Sequence, residues 1–476
     1  MATDALNAAG TTAGRDAGPL TTAGEPVDVA ALTARVHALA PQVRADLEQL
    51  VAIPSVSAAS FDQAPVRESA ELVAQLLRRS GLTEVEILSV DDPATGRPGA
   101  PAVLGHRPGP PGSRTVLLYA HHDVQPPGEA DAWTSPPFRP TEREGRLYAR
   151  GAADDKAGIC VHLAALRAIG DSLGVGVTVF VEGEEEVGSP TFEAFLETHR
   201  DRLSADVIVV ADSGNWRIGE PALTTSLRGL VDGVVEVHTL DHALHSGMFG
   251  GAIPDATTVL IRLLATLWDE AGNVAVPGLL AGEAADLTYP EDDLRADAGV
   301  LDGVSLIGTG RLTSRLWTRP ALTVIGIDVP SVEGSSNTLQ PSVRAKFSLR
   351  VAPGQDGRAA FEALAAHLRR NAPWGARVQV QVGEIGRAWA GDVGGQVYDT
   401  ARWALRTAWG HEVVHMGVGG SIPFIAALQQ VYPDAAVLVT GVEDPDTRAH
   451  GIDESLHLEE FLRACVAETL LLAALA

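Results

Sequence analysis

Four glutamates crowd together where a short apolar run ends, in the segment VTVFVEGEEEVGS at residues 177–189. They are Glu182, Glu184, Glu185 and Glu186. Carboxylates held at one place repel one another, and burying any of them without a partner is costly. The run is therefore either a solvated loop or a group of ligands that faces a cation.

Residue types that bind metals follow several other apolar, strand-like runs of the chain. The run at 115–120 is followed by His121 and Asp123, the run at 206–211 by Asp212, a glycine-bounded turn at 151–158 contains Asp154 and Asp155, and the run at 435–440 leads to His450. In an open α/β sheet the carboxyl ends of parallel strands meet at one edge. We therefore expect two histidines and several carboxylates to converge there, as ligand types that suit divalent cations.

The elements that must position these residues alternate over most of the chain. Apolar residues at helical spacing predict helices at 27–50 and 66–80, and Pro41 is expected to break or kink the first. Strands and helices alternate to about residue 225, give way to an α+β pattern, and resume after residue 387. The predicted fold is α/β: an open sheet flanked by helices, formed by residues 27–225 and 388–476, with an α+β domain inserted at 226–387.

Composition limits the partners of the protein. The chain has 476 residues, of which 45% are hydrophobic, and a formal net charge of −25, which argues against nucleic acid because like charges repel. No apolar run reaches the length of a membrane span, so we expect no membrane contact. Residues 1–26 do not read as a signal peptide and are expected to form a mobile tail. The two cysteines, Cys160 and Cys465, cannot make a disulfide framework, and a cytoplasmic location fits.

Six short blocks give the chain a specific resemblance. They are YAHHDVQP at 119–126, ARGAADDKAG at 149–158, EGEEEVGS at 182–189, HSGMFGG at 245–251, GGSIP at 419–423 and AHG at 449–451. In this order they resemble the signature blocks of the M20 metallopeptidases, a family of carnosinase-like dipeptidases, carboxypeptidases and N-acyl-amino-acid deacylases. The resemblance implies a catalytic domain with two metals and a ferredoxin-like lid that forms a homodimer.

The resemblance also implies which residues hold the metals. Two divalent ions are expected per subunit, zinc in the first place, with manganese or cobalt as alternatives. Their ligands would be His121 and Asp212 for one ion, Glu186 and His450 for the other, and Asp154 as the bridge between them. The peptide bond from Asp154 to Asp155 is expected to be cis.

The remaining catalytic roles follow from the same resemblance. Glu185 would be the general base that takes a proton from the attacking water and later gives it to the leaving amine. Asp123 would accept the second imidazole N–H of His121 and so fix its tautomer. His245 would reach an active site across the dimer and stabilise the tetrahedral oxyanion.

The substrate contacts are expected on the lid and on the GGSIP block. Arg350 would hold the C-terminal carboxylate of the substrate, for which a planar guanidinium is well suited. Asn337 would line the same pocket, together with the backbone of Gly419, Gly420 and Ser421. This chain departs from the carnosinase-like pattern at two places: Gly417 and Val418 stand where Arg-Glu is common, and His122 stands where an aromatic residue is common.

The predicted function is metal-dependent hydrolysis of dipeptides or short peptides that have a free C-terminal carboxylate. The long segment 268–316 favours this branch, since it resembles the enlarged lid of the dipeptidases. An N-acyl-amino-acid amidohydrolase, which uses the same metals and base, is the alternative. A non-catalytic metal-binding scaffold is a third hypothesis, against which the presence of Glu185 argues.

Overall fold

A computed structural model describes residues 26–284, 287–420 and 423–476. Residues 1–25 of the predicted tail, and Ser421 among the predicted substrate contacts, lie outside these ranges. The helices are α1 Val29–Val51, α2 Ala64–Arg79, α3 Lys156–Ile169, α4 Phe192–Thr198, α5 Arg200–Leu203, α6 Ser246–Phe249, α7 Ala256–Ala265, α8 Glu291–Asp297, α9 Leu312–Trp317, α10 Gly357–Arg370, α11 Gly395–Trp409, α12 Pro423–Val431 and α13 Leu458–Leu475.

The strands are β1 Glu84–Leu88, β2 Ala102–Arg107, β3 Thr115–His121, β4 Thr141–Arg143, β5 Arg146–Tyr148, β6 Gly176–Glu182, β7 Val207–Val210, β8 Ala222–Leu227, β9 Gly229–His238, β10 Leu244–His245, β11 Ala321–Asp328, β12 Thr338–Leu339, β13 Ser342–Val351, β14 Arg377–Gly386, β15 Trp389–Ala390, β16 Val414–Val418, β17 Ala436–Val439 and β18 Ser455–His457.

The larger sheet is mixed, with a parallel centre. Over the described residues its order is β1-β2-β6-β3-β7-β17-β8-β15, and β16 pairs with β8. Strands β6, β3, β7 and β17 are parallel neighbours, so their carboxyl ends lie at one edge. The β-branched runs of β6 and β7 are buried throughout, as expected for parallel strands covered on both faces. The predicted open α/β sheet is confirmed.

Helices cover both faces of this sheet. Residues of α1, α3, α11 and α13 share one apolar core with the sheet, and residues of α4 and α12 share another. The expected break at Pro41 is wrong, since α1 runs without interruption from Val29 to Val51. Pro41 is exposed, and Val36 and Val43 on either side of it are buried in the core, so packing holds the helix together across the missing hydrogen bond.

The inserted unit forms a second, antiparallel sheet in the order β11-β13-β9-β14, and α7 and α10 pack on it. With β9, α7, β11, β13, α10 and β14 in chain order, this is the ferredoxin-like arrangement. The predicted boundaries at 226 and 387 stay a prediction; β9 begins at Gly229 and β14 ends at Gly386. Within the described ranges, no helix has both the length and the apolar character needed to cross a bilayer.

Candidate active site

Asp154 lies between two imidazoles at the carboxyl edge of the larger sheet. Its Oδ1 is 3.0 Å from Nε2 of His121, and its Oδ2 is 2.9 Å from Nε2 of His450. His121 ends β3, whereas His450 follows β17 through a long loop. The peptide bond from Asp154 to Asp155 is cis. Because the two oxygens face different histidines, one carboxylate is placed to serve two ligand groups.

Glu186 and Asp212 complete these two groups. Oε2 of Glu186 lies 3.1 Å from Nε2 of His450, and Oδ1 of Asp212 lies 4.0 Å from Nε2 of His121. Gln125, which the sequence analysis did not single out, holds Glu186 in place. Its backbone amide and its Nε2 donate to the two carboxylate oxygens of Glu186 over 3.1 and 2.8 Å.

Asp123 supports the site through both its backbone and its side chain. Nδ1 of His121 is 3.0 Å from the backbone carbonyl oxygen of Asp123 and 3.4 Å from its Oδ1. The carboxylate of Asp123 accepts hydrogen bonds from the backbone amides of Glu185 and Glu186, at 3.2 and 3.0 Å. Asp123 therefore faces the histidine with its backbone carbonyl and its carboxylate, and the same carboxylate anchors the loop that carries the two glutamates.

The turn that carries Asp154 is held by a buried ion pair that the sequence analysis missed. Arg150 donates to Glu454 over 2.6 Å, and both side chains are buried. The carboxylate of Glu454 also accepts from the backbone amides of Gly151, Ala153 and Asp154, at 3.1 to 3.3 Å. A single carboxylate from the end of the chain thus sets the position of the turn.

The site contains more acidic than basic side chains. Burial raises the pKa of the Glu185 carboxyl well above its ordinary value, and it raises the pKa of Asp212 to about 7. Burial also acts to raise the pKa of Asp154, but hydrogen bonds from the two imidazoles outweigh it and hold the pKa of Asp154 below its usual range. Several carboxylates are therefore crowded against only two imidazoles.

Imidazole nitrogens and carboxylate oxygens converge within reach of a small cation. Ligand atoms of His121, Asp154 and Glu186 all lie within 4.8 Å of one another, as do those of His121, Asp155 and Asp212. The donor set is of the type that binds zinc, manganese or cobalt, and its excess of negative charge is of the sign that divalent cations neutralise. The residues present therefore fit a divalent metal site.

A cleft of about 560 Å³ opens from these residues towards the lid. Its lining includes Asp154, Glu185, Asp212 and His450 at one end, and Trp216, Trp317 and Val418 elsewhere. Glu443 also lines it, and within the described residues its carboxylate has no hydrogen bond or ion pair. The sequence analysis missed Glu443, since it follows β17 in a loop with no recognisable block around it.

Two residues expected at the substrate, His245 and Asn337, lie together on the lid. His245 pairs with Thr338 between β10 and β12, and the backbone amide of Ser246 donates to the carbonyl oxygen of Asn337 over 2.9 Å. Both residues are exposed, and neither is among the described residues that line the cleft. Within one chain, the structure does not bring them to Glu185.

The other expected contacts lie nearer to the cleft, and Arg228 joins them. Nε of Arg228 donates to the carbonyl oxygen of Gly419 over 3.1 Å, and Gly419 lines the cleft, next to Gly420. Burial, and after it the charge of Arg350, lower the pKa of Arg228 to about 10. Arg228, which the sequence analysis did not select, therefore forms with Arg350 a positively charged region beside the GGSIP block.

The sequence pattern of peptidase family M20/M25/M40 matches residues 117–474. The chain belongs to this family. Among curated M20 relatives, the cysteinylglycine-S-conjugate dipeptidase of Corynebacterium striatum is 36% identical over 408 residues, which cover 84% of this chain and 88% of the relative. The Beta-Ala-His dipeptidase of Homo sapiens is 30% identical over 365 residues, covering 72% of this chain and 71% of the relative. The predicted family is confirmed.

Solved structures of M20-type dipeptidases share the fold. The di-peptidase Dug1p from Saccharomyces cerevisiae superposes with a TM-score of 0.77 at 23% identity, over 94% of this chain and 98% of that one. Human carnosine dipeptidase 1 gives a TM-score of 0.76 at 26% identity, over 94% and 99% of the two chains. The catalytic and lid units together therefore follow a known M20 architecture.

Proposed function

We propose that this M20 protein is a metal-dependent dipeptidase, which hydrolyses the amide bond of dipeptides or short peptides with a free C-terminal carboxylate. The observation that carries the proposal is Asp154, whose two carboxylate oxygens face the imidazoles of His121 and His450. The names of the relatives support the substrate class, since they describe cysteinylglycine-S-conjugate and Beta-Ala-His dipeptidases.

The chemistry assigns a role to each residue of the site. His121 and Asp212 would hold one divalent ion, Glu186 and His450 the other, and Asp154 both, with zinc as the first candidate. Bound cations supply Lewis acidity and lower the pKa of a water molecule. Glu185 takes the proton of the attacking water and delivers it to the nitrogen of the leaving amino acid.

The charges of the cleft favour a dipeptide over an N-acyl amino acid. Burial and the charges of Asp154 and Asp212 raise the pKa of Glu443, whose side chain has no partner among the described residues, and the α-ammonium of a dipeptide would supply the missing positive charge. An N-acyl amino acid has no such cation. Arg350 and Arg228, beside Gly419 and Gly420, would bind the carboxylate at the other end of the substrate. The contact expected from Ser421 stays a prediction, and Asn337, which lies beside His245 on the lid, would reach the pocket of a second subunit together with it.

A homodimer would supply the missing lid residue. His245 is exposed on the lid and does not line the cleft of its own chain, so we propose that it stabilises the oxyanion in the cleft of a second subunit. Exposed apolar side chains on the lid support such an interface, among them Ile325 and Ile327 on the edge strand β11. Cys160 and Cys465 are free and buried, which supports our proposal of a cytoplasmic location.

One experiment tests the reaction and the metal together. Metal per chain is measured by elemental analysis while Ala-Gly and N-acetylglycine are compared as substrates, for the wild type and for Glu185→Gln. We expect about two ions per chain in both proteins, and a loss of about 10²- to 10⁴-fold in kcat for the variant. Faster cleavage of N-acetylglycine by the wild type would reject the dipeptidase, and full turnover by Glu185→Gln would reject the assigned base.

A further inference from the structure

Three aromatic side chains form one wall of the cleft that contains Asp154 and Glu185. They are Trp216, Tyr289 and Trp317. The ring of Trp216 lies edge-on to the other two, with centroids 5.0 Å from Tyr289 and 5.9 Å from Trp317. Such contacts fix the orientation of each ring, so the three form one rigid apolar surface, named here the aromatic wall.

The aromatic wall is assembled from both units of the chain. Trp216 follows the metal-ligand candidate Asp212 by four residues, whereas Tyr289 and Trp317 belong to the segment between α7 and β11. An ion pair from Arg217 to Asp293 ties the two parts together. The wall is therefore in place before a substrate arrives.

Gly417 makes room for the wall. A Cβ atom at this position would come within 2.7 Å of the Cβ of Trp317 and 2.8 Å of the hydroxyl of Ser226. Both are closer than side-chain atoms approach one another, so a larger residue would displace the indole. The glycine at this departure from the family block thus has a physical reason in the cleft itself.

The wall lies on the side of the cleft where the substrate's amino group is expected. Gly214, two residues before Trp216, forms a β-bridge with Glu443, and the backbone amide of Asn215 donates to the carbonyl oxygen of Glu443 over 2.8 Å. A substrate whose ammonium group reaches Glu443 therefore has its first side chain near Trp216.

Two acids beside the wall make contacts with residues of the wall or next to it. The hydroxyl of Tyr289 donates to Asp297, and Asp293 is bound by Arg217. The faces of the three rings themselves therefore offer apolar area to a side chain. A neutral apolar or aromatic side chain loses no charge hydration on entering, and it buries a large area against the rings.

We propose that Trp216, Tyr289 and Trp317 form the binding site for the side chain of the substrate's N-terminal residue, and that they select large apolar or aromatic side chains. This inference rests on the proposed dipeptidase function. In this proposal the aromatic wall selects the side chain of the substrate, whereas the metal ligands and Glu185 carry out the hydrolysis.

The test compares kcat/KM for Phe-Gly, Ala-Gly and Lys-Gly, which share one leaving group. We expect the wild type to favour Phe-Gly over Ala-Gly by more than about tenfold, as a fitted apolar pocket does. Trp216→Ala should lower this ratio to about threefold or less, and Trp216→Phe should keep most of it. Metal per chain, measured for every variant, separates an effect on the wall from a displacement of Asp212.

A matched control is Trp374→Ala, since Trp374 is 63% exposed on the lid and contacts Arg262, outside the lining of this cleft. The ratio of kcat/KM for Phe-Gly to that for Ala-Gly should be the same in Trp374→Ala as in the wild type. Tyr289→Ala serves as the second test variant if Trp216→Ala does not fold. If Phe-Gly and Ala-Gly react equally well, or Lys-Gly reacts best, the inference fails while the dipeptidase stands. If none of the three reacts but N-acetylglycine does, the proposed function itself is wrong.

Discussion

Arg150 donates to the carboxylate of Glu454 over 2.6 Å, and neither side chain reaches solvent. The same carboxylate accepts hydrogen bonds from backbone amides of the turn that contains Asp154. The buried carboxylate of Glu454 therefore controls where the carboxylate of Asp154 lies.

Glu454→Gln tests this control. The side-chain amide of the new glutamine would place an N–H group next to the backbone N–H donors that Glu454 accepts from. It would also leave Arg150 without its counter-charge. We expect a metal affinity lower by about 10- to 100-fold and a loss of about 3 kcal/mol in the free energy of unfolding. Metal titration and urea denaturation measure the two effects. Asp46→Asn is the control, because it breaks the buried pair with Arg167 away from the site; equal metal loss in both variants would contradict a specific role of Glu454.

Glu443→Gln tests how the amino group of the substrate is recognised. Removing the charge takes away the partner of the α-ammonium, so the preference for Ala-Gly over N-acetylglycine should fall by about 10- to 100-fold. Steady-state kinetics on both substrates give this ratio. Glu412→Gln, at an exposed position, is the control. An equal loss on both substrates, or a loss of metal, would mean that Glu443 acts on the metal site and not on the ammonium.

Mixing two inactive variants tests which subunit His245 serves. His245→Ala and Glu185→Gln subunits are co-expressed with different tags and the mixed species is purified along with the parents. If His245 acts in the partner's cleft, a mixed dimer contains one intact site of two, so the purified mixed species should have about half of the wild-type activity and the unseparated random mixture about a quarter. Activity no higher than that of the parents would place His245 in its own cleft, or outside catalysis.

His162 and Glu468 give a prediction for stability against pH. Nδ1 of His162 lies 2.8 Å from Oε1 of Glu468, and its Nε2 lies 3.1 Å from the carbonyl oxygen of Tyr119. Burial acts to lower the pKa of His162, but the charge of Glu468 outweighs it, and the pKa of His162 is raised. The stabilisation from this pair is therefore complete below the ordinary pKa of about 6.5. It is lost as the pH rises through the folded pKa.

Glu468→Gln should accordingly lower the free energy of unfolding by about 3 kcal/mol at acidic pH, and by less in alkali. Urea denaturation at a pH below 6.5 and at an alkaline pH measures the difference. The control is Glu459→Gln, which breaks an exposed ion pair with Arg463 on the same helix; its effect should stay below about 1 kcal/mol. A larger loss in alkali than in acid would contradict the charged state of His162.

The convergence of the candidate ligands was predictable because several of them stand next to a strong local signal, whereas their separate roles were expected from the family resemblance. His121 and Asp212 follow buried β-branched runs, and the parallel pairing of β3 with β6 and β7 brings their ends together. The residues that hold the ligands have no such signal. Glu454 reaches Arg150 across 304 residues of sequence, and Gln125 differs in no local way from any polar residue after a strand.

The aromatic wall and the uninterrupted course of α1 could not be predicted from the sequence for the same reason. The aromatic wall exists only because Trp216 and Trp317, about a hundred positions apart in the sequence, meet across the two units. The uninterrupted course of α1 through Pro41 depends on the core against which Val36 and Val43 pack, which local propensity does not contain. Both features depend on tertiary packing, which the spacing of residues along the chain does not reveal.

The contact of Asp154 with His450 also determines when the site can form as the chain is made. A chain that leaves the ribosome in order exposes His121, Asp154, Glu186 and Asp212 long before His450 and Glu454. Until then the turn at Asp154 lacks the carboxylate that fixes it, and the ligand group of Glu186 lacks its imidazole. We therefore expect the nascent chain to be inert towards the peptides around it until β18 and α13 have packed against the earlier part of the catalytic unit.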